Sequence, residues 1–355
     1  MTNEMRAWLV DSPSAPIQLK STSIPTITHP KQVLIRVEAA SVNPLDTVMV
    51  DGYGNEILTK WKQLANWDST AARFPLIPGR DCSGVVEAVG GSVTHLRPGD
   101  KVMAVIAAIE QGSHAEYVLT ESTSCTPIPS GLTFVEAAAL PYAASTAWAA
   151  LVTFARMDPT KKPKERVLVH GGAGGVGSMA IQLLKAWGVD KVVATCSLDS
   201  FELVKSLGAI PVDYRSQNVT DQIIDQGPFE VILSCVDSDL SRWSDKIMGV
   251  WRNSVHVSVV SPLLNETDRH GLLPGLATTF AQYFNRSCEA TKQGRWFSYA
   301  YFIPSEQCLR QLKQFVEEKK IRPIVEKVYN FEELPSAYEK VKNLRGRGKT
   351  VISFE

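Results

Sequence analysis

This sequence lacks paired cysteines. Its six cysteines are scattered along 355 residues, and no two of them form a C-x-x-C motif. Structural zinc lobes and dense disulfide frameworks both need clustered cysteines. The sequence therefore argues against either one, and we expect reduced thiols that are mostly buried.

The sequence also lacks an excess of either charge. Lysine plus arginine and aspartate plus glutamate number 37 each, so the formal net charge is zero. Without a basic field, the chain has no electrostatic means of recruiting nucleic acid or an anionic membrane surface. We also find no apolar run of the ~20 residues that a membrane-spanning helix needs.

The first residues carry no targeting signal. Met1–Met5 lacks the apolar core of a secretory signal, and it is not an Arg-rich amphipathic presequence. Taken alone, the residues predict a cytoplasmic protein or one whose import segment lies outside this sequence.

Two patterns of secondary structure divide the chain. Residues 1–150 contain short strands separated by turns, such as Gln32–Ala40, Gly84–Gly90 and Lys101–Ile106. From Glu165 onward strands alternate with helices, which is typical of a parallel, doubly wound sheet. We predict an α/β protein with a Rossmann domain over 151–304. The barrel-like, β-rich domain over 1–150 should be completed by the tail, 305–355.

A glycine-rich turn lies between a predicted strand, Arg166–His170, and a predicted helix that Gly188 ends. In this setting glycines let the backbone approach a pyrophosphate, and the helix N-terminus offers that anion free N–H groups and partial positive charge. We therefore predict a dinucleotide site. The turn consists of Gly172, Ala173, Gly174, Gly175, Val176 and Gly177.

The residue about 20 positions after the turn distinguishes NAD from NADP. An NAD site usually has an acidic residue there to bind the ribose 2′-hydroxyl. This chain has Ser197, whose hydroxyl can donate to a 2′-phosphate, and Tyr214 and Arg215 follow the next strand. We therefore predict NADPH. The alternative makes Asp199 the ribose ligand of an NAD site.

Four further segments carry motifs of a known family: Ala39–Asp46, Gly79–Val86, Leu96–Val102 and Leu140–Trp148. They resemble the zinc-free quinone oxidoreductases of the medium-chain dehydrogenase/reductase superfamily, and the resemblance covers nearly the whole chain. It implies a GroES-like catalytic domain beside the Rossmann domain. It also implies NADPH-dependent reduction of a quinone-like small molecule.

Within that family, the chain resembles a mitochondrial branch. The shared details include Ser41–Pro44, Gly52–Gly54 and the tail Arg347–Ile352. This similarity implies mitochondrial residence, a link to ubiquinone synthesis, and contact with reticulons or other mitochondrial proteins. Relatives also often form homodimers through the sheet edge of the cofactor domain, so the resemblance implies a homodimer here.

The zinc-binding positions of related enzymes hold other residues in this chain. Zinc-dependent relatives have a cysteine where this chain has Asn43, and a His-Glu pair where it has Arg80 and Asp81. Zinc there would need thiolate and imidazole ligands, so we predict no zinc. Negative charge on the substrate must then be stabilised by hydrogen-bond donors or water. A quinone could also delocalise it.

Three residues are candidates for the catalytic side of the site. Asn43 is a candidate donor near the nicotinamide, although it could simply shape a turn. The phenol of Tyr53 could donate a proton, or its ring could stack on a quinone. Arg80 could steer the substrate or hold the Asn43 loop through charge-assisted bonds. The segment Leu58–Ala72 could form a lid or a surface insertion.

The basic tail Arg345–Lys349 is a candidate cofactor contact. As in relatives, it could reach the cofactor, or it could be a solvated turn before the last strand. The candidate residues are Arg347, Gly348 and Lys349.

Two other functions remain open at this point. Tyr53 also suits an enoyl-thioester reductase, in which a tyrosine of a similar loop donates a proton. Alternatively, the fold could bind NADPH without turnover and serve as an interaction partner of membrane or mitochondrial proteins.

Overall fold

The computed structural model describes residues 4–250, 253–343 and 346–354. Met1–Asn3 and Arg345, which the sequence analysis mentions, lie outside the described residues. In chain order the described strands are β1 (Glu4–Leu9), β2 (Gln18–Ser23), β3 (Gln32–Val42), β4 (Asp81–Val89), β5 (Lys101–Val105), β6 (Tyr117–Glu121), β7 (Cys125–Pro127), β8 (Val167–His170), β9 (Val192–Cys196), β10 (Ile210–Asp213), β11 (Val231–Ser234), β12 (Ser254–Ser258), β13 (Arg295–Tyr299), β14 (Val325–Asn330) and β15 (Lys349–Ser353).

Helices connect these strands and cover the sheets. In the same described residues they are α1 (Pro44–Met49), α2 (Asn55–Asn66), α3 (Phe134–Ala138), α4 (Pro141–Trp148), α5 (Gly175–Ala186), α6 (Phe201–Ser206), α7 (Val219–Gln226), α8 (Asp239–Trp243), α9 (Leu263–His270), α10 (Leu272–Thr291), α11 (Glu306–Glu317) and α12 (Leu334–Lys342).

The β-rich sheet combines strands from both ends of the chain. Among the described residues its order is β14-β15-β3-β4-β5-β7, and β6 also pairs with β3. The tail strand β15 runs antiparallel to β3, with Thr350 opposite Val42. The tail therefore returns to the N-terminal sheet, next to the strand that leads into Asn43.

The second sheet is parallel throughout the described residues, in the order β10-β9-β8-β11-β12-β13. Such a sheet needs helices on both faces, and its strands are accordingly apolar and buried. The strand order reverses between β8 and β11. The carboxyl ends of these strands therefore border the crevice where doubly wound folds bind ligands. The predicted α/β fold class is confirmed.

The helix that follows the glycine turn lies deep in the core. α5 buries apolar residues such as Ala180, Leu183 and Leu184, and it packs against α4. It ends where Gly188 takes a positive φ of 85°, a backbone conformation that favours glycine. Both ends of α5 thus lie where the sequence predicts them.

One described helical run departs from the sequence expectation. Phe134–Phe154 has 21 residues and is long and apolar enough to cross a membrane by length and composition. However, 83% of its apolar window is buried inside the molecule, as in the core helix of a folded domain. The run connects the two sheets and buries Trp148 against Trp187.

The sequence pattern predicts no helix or strand between 263 and 299, where the structure has α9, α10 and β13. The helical pattern of α10 is obscured because Leu273, Phe280 and Phe284 point outward. Gly275 lies in its first turn, where an added Cβ would overlap the backbone of Thr267 in α9. The close crossing of α9 and α10, and not amphipathicity, therefore explains why a glycine occupies position 275.

Two of the fully buried histidines, His114 and His170, are held in the neutral form. Because a carbonyl oxygen only accepts, His114 donates from Nε2 to the Ser41 carbonyl at 3.2 Å, and its Nδ1 accepts from the Tyr338 hydroxyl at 2.9 Å. The ring nitrogens of His170 face the hydroxyls of Thr195 and Ser244. Burial lowers the pKa of His114 to about 4 and that of His170 to about 3.

These histidines should make the protein less stable in mild acid. Below pH ~6.5 these histidines bind protons in the unfolded chain but stay neutral in the native protein. Stability therefore falls as the pH falls. Each histidine should lower the free energy of unfolding by about 2 kcal/mol at pH 5. Urea unfolding of His170→Gln should therefore show a smaller loss of stability between pH 7 and pH 5 than the parent. The exposed control His29→Gln should match the parent, and equal losses in all three proteins would contradict the assignment.

Candidate active site

Three glycines of the predicted turn have three different steric surroundings. A Cβ on Gly172 would lie 2.6 Å from the Cβ of Ala194, and one on Gly177 would overlap the carbonyl oxygen of Gly171. A Cβ on Gly174 would instead meet nothing closer than that same oxygen, at 3.6 Å. Gly174 is also the N-cap residue of α5. Two positions are thus needed for packing, and the third leaves the helix N-terminus open to an anion.

The tail lies directly against this turn. The Gly348 N–H donates to the Ala173 carbonyl at 2.9 Å, and Gly348 forms a β-bridge with Gly174. A Cβ on Gly175 would lie 2.9 Å from Cδ of Lys349. The structure therefore brings the predicted tail residues to the predicted cofactor turn, although more than 150 positions of sequence separate them.

The predicted 2′-phosphate residues gather at the ends of β9 and β10. Arg347 pairs with Asp199 at 3.0 Å, and a bond from Ser197 lowers the pKa of the Asp199 carboxyl. Arg215 donates to the Tyr214 hydroxyl at 3.1 Å and stacks on its ring. All of these side chains except that of Ser197 are largely exposed. The group therefore offers two guanidiniums and two hydroxyls beside one carboxylate.

A buried polar cluster, the Asn43 cluster, lies on the other side of the turn. It consists of Ser41, Asn43, Asp46, Asp81 and Lys349. The Asn43 amide donates to Asp81 at 3.0 Å and to Asp46 at 3.1 Å, and its oxygen accepts from the Lys349 ammonium. Ser41 donates to the same oxygen of Asp81 at 2.5 Å. None of these side chains is more than 7% exposed. Lys349 therefore connects the cluster to the cofactor turn.

Arg80 is enclosed at the edge of this cluster. Its guanidinium donates to the carbonyls of Ala107, Glu110 and Ile77, and it faces Asp46 at 3.8 Å. The side chain has no exposed surface. This arrangement favours the interpretation that Arg80 holds the loop, because both of its Nη groups already donate to backbone carbonyls.

Opposite charges balance within the cluster. Burial raises the pKa of Asp46 and Asp81, while Lys349, Arg80 and the Asn43 amide counter that shift by stabilising the carboxylates. Burial likewise lowers the pKa of Lys349, which the two aspartates counter. The two cations and two carboxylates thus compensate one another, and removing one would leave a buried charge unpaired.

Tyr53 lies half-buried near the junction of the two sheets, just before α2. Burial raises the pKa of its phenol, with smaller contributions from Asp268 and Tyr301 of the other domain. Asp268 accepts from the backbone N–H groups of Gly54 at 2.5 Å and Glu56 at 3.0 Å, so it binds the N-terminus of α2. The segment Leu58–Ala72 contains most of α2, which packs on α9.

One residue near this junction carries no signal in the sequence. Arg73 is 3% exposed and donates from Nη1 to the Tyr53 carbonyl at 2.9 Å. Arg73 belongs to no sequence motif. It lies beside Tyr53 only in the folded structure.

The residues do not fit a zinc ion. Within the described parts of the chain, no group of three or more His, Cys, Asp or Glu side chains could hold a metal. Lys349 already compensates Asp81, which lies at one of the zinc-equivalent positions, and Arg80 faces the neighbouring Asp46. A divalent cation would have to displace those charges and would lack thiolate ligands.

The fold and the site together define a class of protein. A doubly wound sheet with a glycine turn lies against a GroES-like domain, and the polar cluster lies beside that turn. This is the architecture of a two-domain oxidoreductase that uses a nicotinamide dinucleotide.

Comparison with known proteins agrees with this class. Residues 29–130 match the Alcohol dehydrogenase GroES-like domain, and residues 207–352 match Zinc-binding dehydrogenase. The chain is 56% identical over 354 residues to "Reticulon-4-interacting protein 1, mitochondrial" of Caenorhabditis elegans. That match covers 100% of this chain and 96% of that protein. It is 36% identical over 353 residues to "NAD(P)H oxidoreductase RTN4IP1, mitochondrial" of Homo sapiens, covering 98% and 89% of the two chains. The structure of the quinone oxidoreductase from Coxiella burnetii superposes with a TM-score of 0.78 at 27% identity, covering 99% of this chain and 100% of the other.

The chain belongs to the family of these NAD(P)H oxidoreductases, within the medium-chain dehydrogenase/reductase superfamily. The predicted family is therefore confirmed, and so is the use of a nicotinamide cofactor.

The glycine turn yields a paired prediction. Gly174→Ala should fold normally, because its Cβ has room, but the methyl group should obstruct the pyrophosphate and weaken NADPH binding at least tenfold, about 1.4 kcal/mol. Gly177→Ala should instead lower the melting temperature, because its Cβ overlaps backbone. Fluorescence titration and thermal denaturation of both variants check this. Similar effects of the two substitutions on both measurements would contradict the division of roles.

Proposed function

We propose that this protein is an NADPH-dependent, metal-free reductase of a quinone. The observation that carries the proposal is the meeting of the glycine turn, the basic tail and the Asn43 cluster at one edge of the parallel sheet. When bound, NADPH supplies a hydride. The quinone takes that hydride together with one proton from a donor or water, and it becomes a hydroquinone.

In this proposal the chain's own residues bind and orient the cofactor. The N-terminus of α5 and Gly174 receive the pyrophosphate, while Ser197, Tyr214, Arg215 and Arg347 receive the 2′-phosphate. A phosphate carries more negative charge than a carboxylate, so it should compete with Asp199 for Arg347. Gly348 and Lys349 hold the turn from the side of the tail.

Asn43 then acts by positioning its neighbours. Both of its amide hydrogens are used by carboxylates and its oxygen by Lys349, which leaves no free donor for a substrate. Tyr53 is the better candidate for contact with the acceptor, since its ring is half-buried near the junction. Arg80 binds three backbone carbonyls and so holds the surrounding loop in place. A quinone suits such a site because its reduced anion is delocalised and needs no metal.

A second candidate function rests on the same tyrosine. Burial raises the pKa of the Tyr53 phenol, so it stays protonated and could donate to the carbon skeleton of an enoyl thioester. Binding of NADPH without turnover is the third candidate, since an intact glycine turn serves a binding protein equally well.

The location and partners of the chain are also proposed here. The relatives named mitochondrial support a mitochondrial protein, and a role in ubiquinone metabolism would follow from a quinone substrate. A reticulon partner is suggested by a relative's name alone. The edge strand β13, together with exposed Trp296 and Phe284, supports a homodimer. Sedimentation equilibrium of the purified chain tests that assembly.

The cofactor assignment predicts a measurable preference. NADPH should bind at least tenfold more tightly than NADH, about 1.4 kcal/mol. Asp199→Asn should strengthen NADPH binding further, because it removes a competitor for Arg347, and Arg347→Gln should weaken NADPH alone. Fluorescence titration of both nucleotides measures this. If Asp199→Asn instead weakens NADH tenfold, Asp199 is the ribose ligand and the NAD alternative is correct.

The acceptor is tested with a panel of quinones, trans-enoyl thioesters and aldehydes. NADPH oxidation should be fastest with quinones, and Tyr53→Phe should weaken that reaction only several-fold. Much faster reduction of enoyl thioesters, abolished by the same substitution, would favour the second candidate. Tight NADPH binding with no turnover of any acceptor would favour the third.

A further inference from the structure

Arg73 carries a buried guanidinium that is only partly used. Nη1 donates to the Tyr53 carbonyl at 2.9 Å. Nε and Nη2 are both buried, and neither has a hydrogen-bond partner among the described residues. Each unpaired N–H is costly away from water, and more so on a charged group.

The two unused N–H groups belong to the same edge of the guanidinium. Nε–H and one N–H of Nη2 point the same way, and this edge forms two parallel hydrogen bonds with a carboxylate. Nη1, the group that contacts Tyr53, lies on the opposite side. The protein thus fixes the orientation of Arg73, while the bidentate edge of its guanidinium has no hydrogen-bond partner in the described residues.

Within the described parts of the chain, no carboxylate bonds to that edge. Asp268 is near enough to act electrostatically on Arg73, but its two oxygens accept from the Gly54 and Glu56 N–H groups. Arg80 adds repulsion. Burial lowers the pKa of Arg73 to about 10, so the side chain is still charged at neutral pH.

The neighbouring Arg80 shows what a purely structural arginine looks like here. Both of its Nη groups donate to backbone carbonyls, and Asp46 lies 3.8 Å from its Nε. Arg73 has one such carbonyl, the Phe74 ring 6.0 Å from its Cζ, and no ion-pair partner within 4 Å among the described residues. In Arg80 only Nε lacks a hydrogen-bond partner, and a carboxylate faces it, whereas in Arg73 both N–H groups of one edge lack a partner.

We propose that Arg73 is a substrate-binding residue whose free edge takes a carboxylate of the hydride acceptor. The proposal rests on the reductase function proposed above and narrows the acceptor class to molecules that carry a carboxylate. Because the edge is covered in this conformation, part of its cover must move when the ligand enters. Because the Tyr53 carbonyl accepts a hydrogen bond from Arg73, that movement would also shift Tyr53.

A redox-inert probe tests binding independently of turnover. Benzoate carries the carboxylate without an acceptor group, and calorimetry with the NADPH-loaded protein measures its Kd. Arg73→Lys keeps the positive charge but loses the bidentate edge of the guanidinium, so this variant should bind benzoate at least tenfold more weakly. Arg97→Lys, on an exposed turn of the same domain, should bind like the parent. Absence of benzoate binding to the parent, or equal binding by Arg73→Lys, would overturn the proposal.

A second measurement compares a neutral quinone with the same ring carrying a carboxylate. Arg73→Lys should lower kcat/KM for the carboxylated quinone at least tenfold more than for the neutral one. Equal losses on both quinones, together with a lower Tm, would show a structural role and refute the proposal. If neither quinone is reduced by the parent, the reductase function fails, and the benzoate titration still decides whether Arg73 binds a carboxylate. Arg73→Gln, which retains a donor for the Tyr53 carbonyl, replaces Arg73→Lys in both measurements if that variant does not fold.

Discussion

The ammonium of Lys349 within the Asn43 cluster is the contact on which the site depends. It brings a cation from the last strand into a buried space that already contains Asp46 and Asp81. In a medium of low dielectric, such charges are tolerable only when they compensate one another. The cluster therefore holds the tail, β3 and β4 in a fixed arrangement, and the glycine turn is aligned by the same strand.

This dependence explains why the protein needs both ends of its chain to form one site. The tail strand β15 completes the β-rich sheet and, through Gly348, contacts the turn that opens α5. The cofactor turn alone gives a helix N-terminus with affinity for anions. Only when the tail lies across it does the turn acquire Arg347 on one side and Lys349 on the other.

The cluster also lies where zinc-dependent relatives have their ligands. Positions that bear cysteine and histidine in zinc-dependent relatives bear Asn43 and Arg80 here, and the charges of Lys349 and Arg80 compensate the nearby aspartates. The Asn43 amide hydrogens are used by carboxylates and its oxygen by Lys349, which is why we propose a positioning role for it. Arg73 differs from Arg80 because both N–H groups of one guanidinium edge, those of Nε and Nη2, have no hydrogen-bond partner among the described residues.

The sequence by itself determined the local features. Hydrophobic periodicity fixed α5 and the buried strands, and the glycine spacing fixed the turn, because both follow from contacts between near neighbours. The tertiary structure decided what distant residues do together. It placed Lys349 on Asn43, Arg347 on Asp199 and Arg73 beside Tyr53, and it set α10 and β13 at the edge of the parallel sheet. No local pattern encodes such pairings, since burial and charge compensation exist only after the two domains have packed.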